Sequence, residues 1–449
     1  MVRRLALLDP IGDAGIGGYS HELAEALCRA GLDVDVYSTT RAFALRLPRR
    51  YALVPLFGAQ PPDRQTLARL LHDARAHDAA PTVPPEPTAT ALDDYLDLLE
   101  QRQRRVSVVQ SAPPMPSTRT ARTRTPNAFG AADELRATDA LVEHLCAESY
   151  DAVWTQWPDL HPFVRGLRDR CADAGMQVIH TVHNVLPHER EPHDAEQHRA
   201  VYAASHALVV HSHQAAASLT ALAPEVRDRI VVARHGTYTL YPRVPGARER
   251  VRARLGIEHH TPMALVFGGV RPYKNVDALL ASLQHERCRD VVLVVAGWEW
   301  GYDDQVPGDR LGRTRSLANR LGVIDRVRLL PGPFGIVQTA ALFEASDVVP
   351  VTYRASDGSG VLCLGVTFQR HLLCTRSGGM HEHLQDYVAH TIAASPHVHD
   401  VARGLWTSIE QVRARRAAPE VPTALLWDTI VAGLLPTLAS LGARASAIA

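Results

Sequence analysis

A single lysine stands among the 48 lysine and arginine residues of this 449-residue chain. Lys274 lies in Ala264–Leu283, ALVFGGVRPYKNVDALLASL, three residues after Arg271. Every other cationic position took arginine, so this one marks a place where a compact ammonium serves and a planar guanidinium does not. Arg271 offers a fork able to grip two phosphate oxygens, and Lys274 adds a point charge. Ala264–Phe267 is an apolar run fit for a buried strand, Gly268-Gly269 lets the chain turn sharply, and Asn275 is a residue type that caps a helix, here through Val276–Leu283. A helix start contributes unbonded N–H groups and dipole. Together these features suit a diphosphate. The alternative for an RxxK pair is two solvated loop charges; the glycine pair and the lone lysine favour the anion site.

A second glycine-flanked stretch, Tyr353–Leu364 (YRASDGSGVLCL), precedes an apolar helix beginning at about Val361. Backbone N–H groups of Ser359, Gly360 and Val361 could wrap a phosphate oxygen; the alternative is an ordinary glycine turn before a buried helix. Near the start, Pro10–Gly18 (PIGDAGIGG) is a glycine-rich loop in which Gly17 and Gly18 allow close approach to the first helix. No acidic residue ends the next strand in a ribose-binding context, so a dinucleotide fingerprint is not read here. Asp33-Val34-Asp35 matches a DxD pattern, but its alternation makes it a strand with polar residues on one face, and no metal is assigned to it. Polar clusters at Gln156, His183-Asn184, His211-Ser212 and His235-Gly236 fall at expected strand ends, where ligands gather in open α/β sheets. His188, His193 and His198 lie among acids in a loop-like stretch and read as solvated.

The elements that must hold these groups alternate between strand and helix. Strands are expected at Leu5–Leu8, Asp33–Ser38, Ala152–Gln156, Gln177–Val182, Ala207–His211 and Ile230–Ala233, with helices at Tyr19–Ala30, Glu134–Ser149 and Phe163–Ala174. Tyr241–Gly246 reads as a linker. A second series has strands at Ala264–Phe267, Val291–Ala296, Val327–Leu330, Val348–Val351 and His371–Thr375, and closes with helices at Val401–Arg415 and Pro422–Leu441. Trp427, on the last of these, is placed to pack back onto the first domain. Residues 58–133 break the alternation with proline-rich text around two short helical candidates, Thr66–Ala76 and Ala91–Arg102, and read as a flexible, peripheral insertion. Within it, 101–132 carries six arginines and no acid. A solvated loop is favoured there over a peripheral contact with an anionic membrane surface.

The chain is long enough for two or three domains. A formal net charge of zero argues against a nucleic-acid partner. Six scattered cysteines form no CxxC pair, so neither a zinc ribbon nor a redox motif is read. The opening run lacks a signal-peptide pattern and no stretch approaches eighteen uninterrupted apolar residues, which places the expected protein in the cytoplasm.

Four segments, FGGVRPYK, TVHN, SDGSGVL and SGGMHE (Ser377–Glu382), in this arrangement resemble the retaining GT-B glycosyltransferases of family 4. The resemblance covers most of the chain outside the insertion. It implies an α/β fold of two Rossmann-like, doubly wound domains facing across a cleft: an acceptor domain over 1–243, a nucleotide-sugar donor domain over 244–410, and helices over 411–449 that pack back towards the first. It also implies sugar transfer from a nucleotide-diphosphate sugar to a hydroxyl of a small-molecule or glycan acceptor, with retention and without a metal or other cofactor. Carried over by position, Arg271 and Lys274 match the diphosphate-binding pair and His183 the histidine near the reacting sugar. Gly17 and Gly18 match the loop beside acceptor and phosphate, and Asp357 the first glutamate of the E-x7-E motif, giving a catalytic set of His183, Arg271, Lys274 and Asp357. The second glutamate falls at Gly365, so the residue expected to hold the ribose is absent. Two other functions stay open: a nucleotide-sugar epimerase on a GT-B shell, and a catalytically impaired partner subunit.

Overall fold

The structure, a computed structural model, describes residues 2–12, 15–39, 47–57, 63–77, 97, 131–157, 166–188, 190–299 and 311–448. The expected helix over Ala91–Arg102, apart from Asp97, and the arginine-rich stretch up to residue 130 lie outside these residues. In chain order the first half contains β1 (Arg4–Asp9), α1 (Ile16–Arg29), β2 (Asp33–Thr39), β3 (Ala52–Phe57), α2 (Arg64–His77), α3 (Ala131–Ala147), β4 (Ala152–Thr155), α4 (Leu167–Asp173), β5 (Gln177–Val182), α5 (Asp194–Ala203), β6 (Ala207–Val210), α6 (His213–Leu222) and β7 (Ile230–Val232). There follow α7 (Ala247–Arg254), β8 (Met263–Phe267), α8 (Val276–Ser282), β9 (Val292–Gly297), α9 (Gly312–Arg320), β10 (Val327–Pro331), α10 (Ile336–Ala345), β11 (Val348–Val351), α11 (Gly360–Thr367), β12 (His371–Thr375), β13 (His390–Ala393), α12 (Val398–Ala414) and α13 (Trp427–Ile448).

The strands form two parallel sheets, of seven in the order β3-β2-β1-β4-β5-β6-β7 and of six in the order β10-β9-β8-β11-β12-β13. Parallel strands need crossover segments, and helices on both faces bury the apolar runs of the central strands. In β1, Leu5 and Leu7 join the core against α1 and α13, while Ala6 and Leu8 join the core on the opposite face with α2 and α3. That division is the two-residue strand period made visible. The described residues fall into two compact units: one within Met1–Pro84, Arg124–Leu240 and Thr423–Ala449, the other within Pro85–Thr123 and Tyr241–Pro422. The last helix, α13, thus belongs to the first unit, where Trp427 is buried, and α12 belongs to the second.

Four expectations need correcting. Residues 58–133 are not peripheral throughout: Leu67 and Leu71 of α2 are fully buried beside Tyr37 and Leu56, because α2 covers one face of the first sheet. Strands β3 and β13 were not expected; both are edge strands, where Pro55 is tolerated and a four-residue segment suffices. The supposed loop around His193 contains α5, and His198 is buried with Nδ1 donating to the Asp194 carbonyl at 2.7 Å. Gly17 and Gly18 stand in the first turn of α1 and not in a loop, and at Gly17 a Cβ would lie 2.7 Å from the Gly12 carbonyl oxygen.

Candidate active site

Lys274 ends a short 3-10 turn, Pro272–Lys274, between β8 and α8. The side chain is buried, and Nζ donates to the Phe267 carbonyl at 2.9 Å. Gly268, at a φ of 82°, leaves the space: a Cβ there would stand 3.2 Å from Nζ. Burial first, and the neighbouring Arg271 guanidinium second, lower the ammonium to a pKa of about 7. Among the described residues no carboxylate lies within ion-pair distance of Nζ. Other cations are matched: Arg252 pairs with Asp347 at 3.3 Å, and Arg75 with the buried Asp35 at 2.6 Å. Asn275 does not cap α8 as expected. It adopts the left-handed conformation that asparagine tolerates, and its Nδ2 donates to the Pro396 carbonyl at 2.7 Å.

Tyr353 links this turn to the second glycine stretch. Its ring centroid lies 5.8 Å from Lys274 Nζ and meets Tyr273 edge-on at 5.2 Å. The Arg354 N–H donates to the Tyr273 carbonyl at 2.7 Å, tying the loop before α11 to the turn. Ser359 is the N-cap of α11: its Oγ accepts from the Leu362 N–H at 3.3 Å, and its hydroxyl donates to the Tyr353 hydroxyl at 3.4 Å. Gly360 and Val361 occupy the first two helical positions, whose N–H groups have no intrahelical acceptor. Asp357 is half-buried in the same loop. The segment after β12 joins them, since Thr375 Oγ1 donates to the Tyr353 carbonyl at 2.6 Å and a Cβ at Gly378 would collide with the Ser356 carbonyl. Lys274 and Ser359 thus meet at Tyr353 within the second unit, with Arg271 three residues before the one and Gly360 and Val361 directly after the other.

In the first unit the strand-end histidines cluster. His183 follows β5, and its Nε2 is buried without a hydrogen-bond partner among the described residues. Tyr19, directly after Gly17-Gly18, meets the His183 ring edge-on at 4.7 Å. His211 Nδ1 donates to the Ala233 carbonyl at 2.9 Å and His235 Nδ1 to the Gly236 carbonyl at 2.8 Å, which fixes both neutral tautomers. Burial pushes His211 down to about 4 and, with help from His211, His235 to about 3. Burial and then His211 and His235 hold His183 well below the usual histidine range.

No family model matches the chain. Part of the sequence is similar to curated D-inositol 3-phosphate glycosyltransferases, with 36% identity over 156 residues to the Xylanimonas cellulosilytica protein, covering 34% of this chain and 36% of that one. The Thermobifida fusca protein is 27% identical over 201 residues, or 42% of this chain and 45% of that one. The chain therefore spans less than half the length of these curated relatives. Solved structures match along its whole length. Anabaena HepE in complex with UDP and glucose superposes with a TM-score of 0.58 at 14% identity, covering 99% of each chain. WaaG, a glycosyltransferase involved in lipopolysaccharide biosynthesis, does so with a TM-score of 0.54 at 15% identity, again over 99% of each. The fold is GT-B.

Within this GT-B chain, Gly365 cannot take the glutamate that the motif leads one to expect without rearrangement. It is buried in α11, and a Cβ there would lie 2.5 Å from Leu372 Cδ2 of β12. Two residues escaped the sequence analysis: Tyr353, just past the end of β11, and Tyr19, in the first turn of α1. Each is an aromatic beside a glycine-flanked segment, and that adjacency was the available signal.

Proposed function

We propose that the chain is a glycosyltransferase that moves a sugar from a nucleotide-diphosphate sugar to an acceptor hydroxyl, with retention of anomeric configuration and without a divalent metal. The observation that carries this is Lys274, a buried ammonium beside a guanidinium, with the Phe267 carbonyl and the Tyr353 ring but no carboxylate next to it among the described residues. An uncompensated buried cation is costly, and a diphosphate seated there would offset the cost. Breaking a glycosyl–phosphate bond builds negative charge on the departing diphosphate, and preorganised donors aimed at that charge lower the barrier. Arg271, Lys274 and the N–H groups of Ser359, Gly360 and Val361 form such a set. Front-face attack by the acceptor hydroxyl lets a diphosphate oxygen take its proton, which gives retention. Asp357 borders the donor loop, His183 supports the reacting sugar, and Gly17 and Gly18 let the Gly12 carbonyl and the Tyr238 ring close against the first turn of α1 on the acceptor side.

UDP-glucose is the first donor to test, because a HepE structure holds it; D-inositol 3-phosphate is the first acceptor, from the names of the partial relatives. UDP-, GDP-, ADP- and dTDP-sugars would be incubated with the protein and sugar release or transfer followed. Turnover that disappears in Lys274→Ala supports the proposal. Isomerisation without release would instead indicate an epimerase, and binding without turnover a catalytically impaired subunit.

A further inference from the structure

The His183 imidazole has no hydrogen bond among the described residues to set its plane. The orientation of a histidine ring is ordinarily fixed by what its second nitrogen bonds. Here rings surround it instead: Tyr19 edge-on at 4.7 Å and 84°, His211 tilted at 5.4 Å, and Trp157 stacked at 6.3 Å and 27°.

Tyr19 is itself boxed in. His211, His235 and Trp427 lie 5.3, 5.0 and 4.9 Å from its ring centroid. Two of these walls are anchored by the Nδ1 bonds to Ala233 and Gly236, and the Tyr238 hydroxyl donates to His235 Nε2 at 3.4 Å. The third wall, Trp427, is pressed onto the backbone: a Cβ at Gly236 would fall 2.5 Å from its Nε1 and Cε2. The end of β6, the segment after β7 and the start of α13 therefore converge on one tyrosine, and that tyrosine on His183. Close-packed rings in rotamer minima do not turn independently.

We infer that Tyr19 is the positioning residue for His183: its ring, held by His211, His235 and Trp427, fixes the imidazole plane used in sugar transfer. This rests on the proposal that His183 stands beside the reacting sugar. The contacts with His183, His211, His235 and Trp427 are made by the ring, so phenylalanine should keep them and leucine should not.

The test compares wild type, Tyr19→Phe, Tyr19→Leu, Trp427→Phe and His183→Ala with the donor found by the panel above, alongside NMR of the histidine rings. Tyr19→Phe is expected to keep kcat within about threefold, and Tyr19→Leu to lower it at least about tenfold with donor KM within about threefold. The single narrow set of His183 signals expected in wild type and Tyr19→Phe should become broadened or doubled in Tyr19→Leu. Wild-type kcat together with one narrow set in Tyr19→Leu would overturn the inference, as would an equal loss in Tyr19→Phe. If Tyr19→Leu does not fold, Trp427→Phe, which loosens the far wall, should broaden or double the His183 signals; unchanged signals there overturn it too. If wild type shows no transfer, or His183→Ala transfers as fast as wild type, the functional proposal for that residue falls, and the ring signals still decide whether Tyr19 holds the imidazole.

Discussion

An ammonium has three donors, and Lys274 commits one of them, to the Phe267 carbonyl. On the proposed function, the other two and the charge serve the diphosphate. With a pKa of about 7 when free, the group is protonated below that pH whether or not a diphosphate is bound, so affinity there should not depend on its titration. Above pH 7 the free amine has lost its proton, while a bound diphosphate raises the pKa. Binding then takes up a proton, and affinity falls as pH rises, approaching about tenfold per unit until the bound-state pKa is reached. Calorimetry of UDP binding at about pH 8 in two buffers of different ionisation heat should show that uptake; none at pH 8 would contradict this account. Lys274→Ala should cost roughly 2–4 kcal/mol of transition-state stabilisation. Lys274→Arg keeps the charge, but its larger planar head must fit against Gly268, and transfer should still fall; wild-type activity in that variant would make the lone lysine incidental. His183→Ala should slow transfer at least about tenfold, roughly 1.4 kcal/mol, in a protein that circular dichroism shows to be folded.

At the scale of elements, α11 carries the clearest packing prediction. Gly365→Glu should lower the urea midpoint of the second unit, because its Cβ meets Leu372 in a closed core where overpacking costs about 1–3 kcal/mol. Unchanged stability with an altered base preference would show instead that the side chain escapes toward the nucleotide. In α2, Leu67→Ala should destabilise the first unit by about 2–5 kcal/mol, as expected of a fully buried leucine; a loss below about 0.5 kcal/mol would return α2 to the periphery. The central strands were legible because burial on both faces writes them as uninterrupted apolar runs; β5, β11 and β12 have the bounds expected from sequence. Edge strands carry a weaker signal, and Pro55 hid β3. The tight turn between β8 and α8 could be read from Gly268-Gly269 and Asn275, which are near neighbours in sequence. Asn275 was misjudged because a residue suited to an N-cap is equally suited to a left-handed turn. Tyr19 was invisible as a hub, because its partners come from strand ends and a helix far along the chain and meet only through the sheet order.

For the molecule as a whole, the first unit stakes its stability on neutral histidines. His211 and His235 titrate at about 4 and about 3 when folded, against 6.5 ordinarily, and His183 is lowered too. Their stabilisation is present in full above about pH 6.5. Below it the unfolded chain binds protons that the folded unit refuses, so stability should decline as pH falls from about 6.5 towards the folded values. Urea unfolding followed by tryptophan fluorescence at about pH 7.5 and about pH 5 should show a lower midpoint at the acid value; equal midpoints would mean the cluster admits protons without cost. Among the described residues no helix is long and apolar enough to cross a membrane. The first unit is also discontinuous, since Thr237 receives its partner carbonyl from Leu425 and Gly236 its cover from Trp427. On the ribosome this has an order-of-synthesis consequence. At about 5–20 residues per second, the segment bearing Tyr19, His211 and His235 emerges many seconds before Trp427 does. Through that interval the nascent first unit has an uncovered aromatic face, while the second unit's Tyr241–Pro422 is made in between. Chaperone capture of translating chains should therefore peak after residue 240 has emerged and end with release of α13.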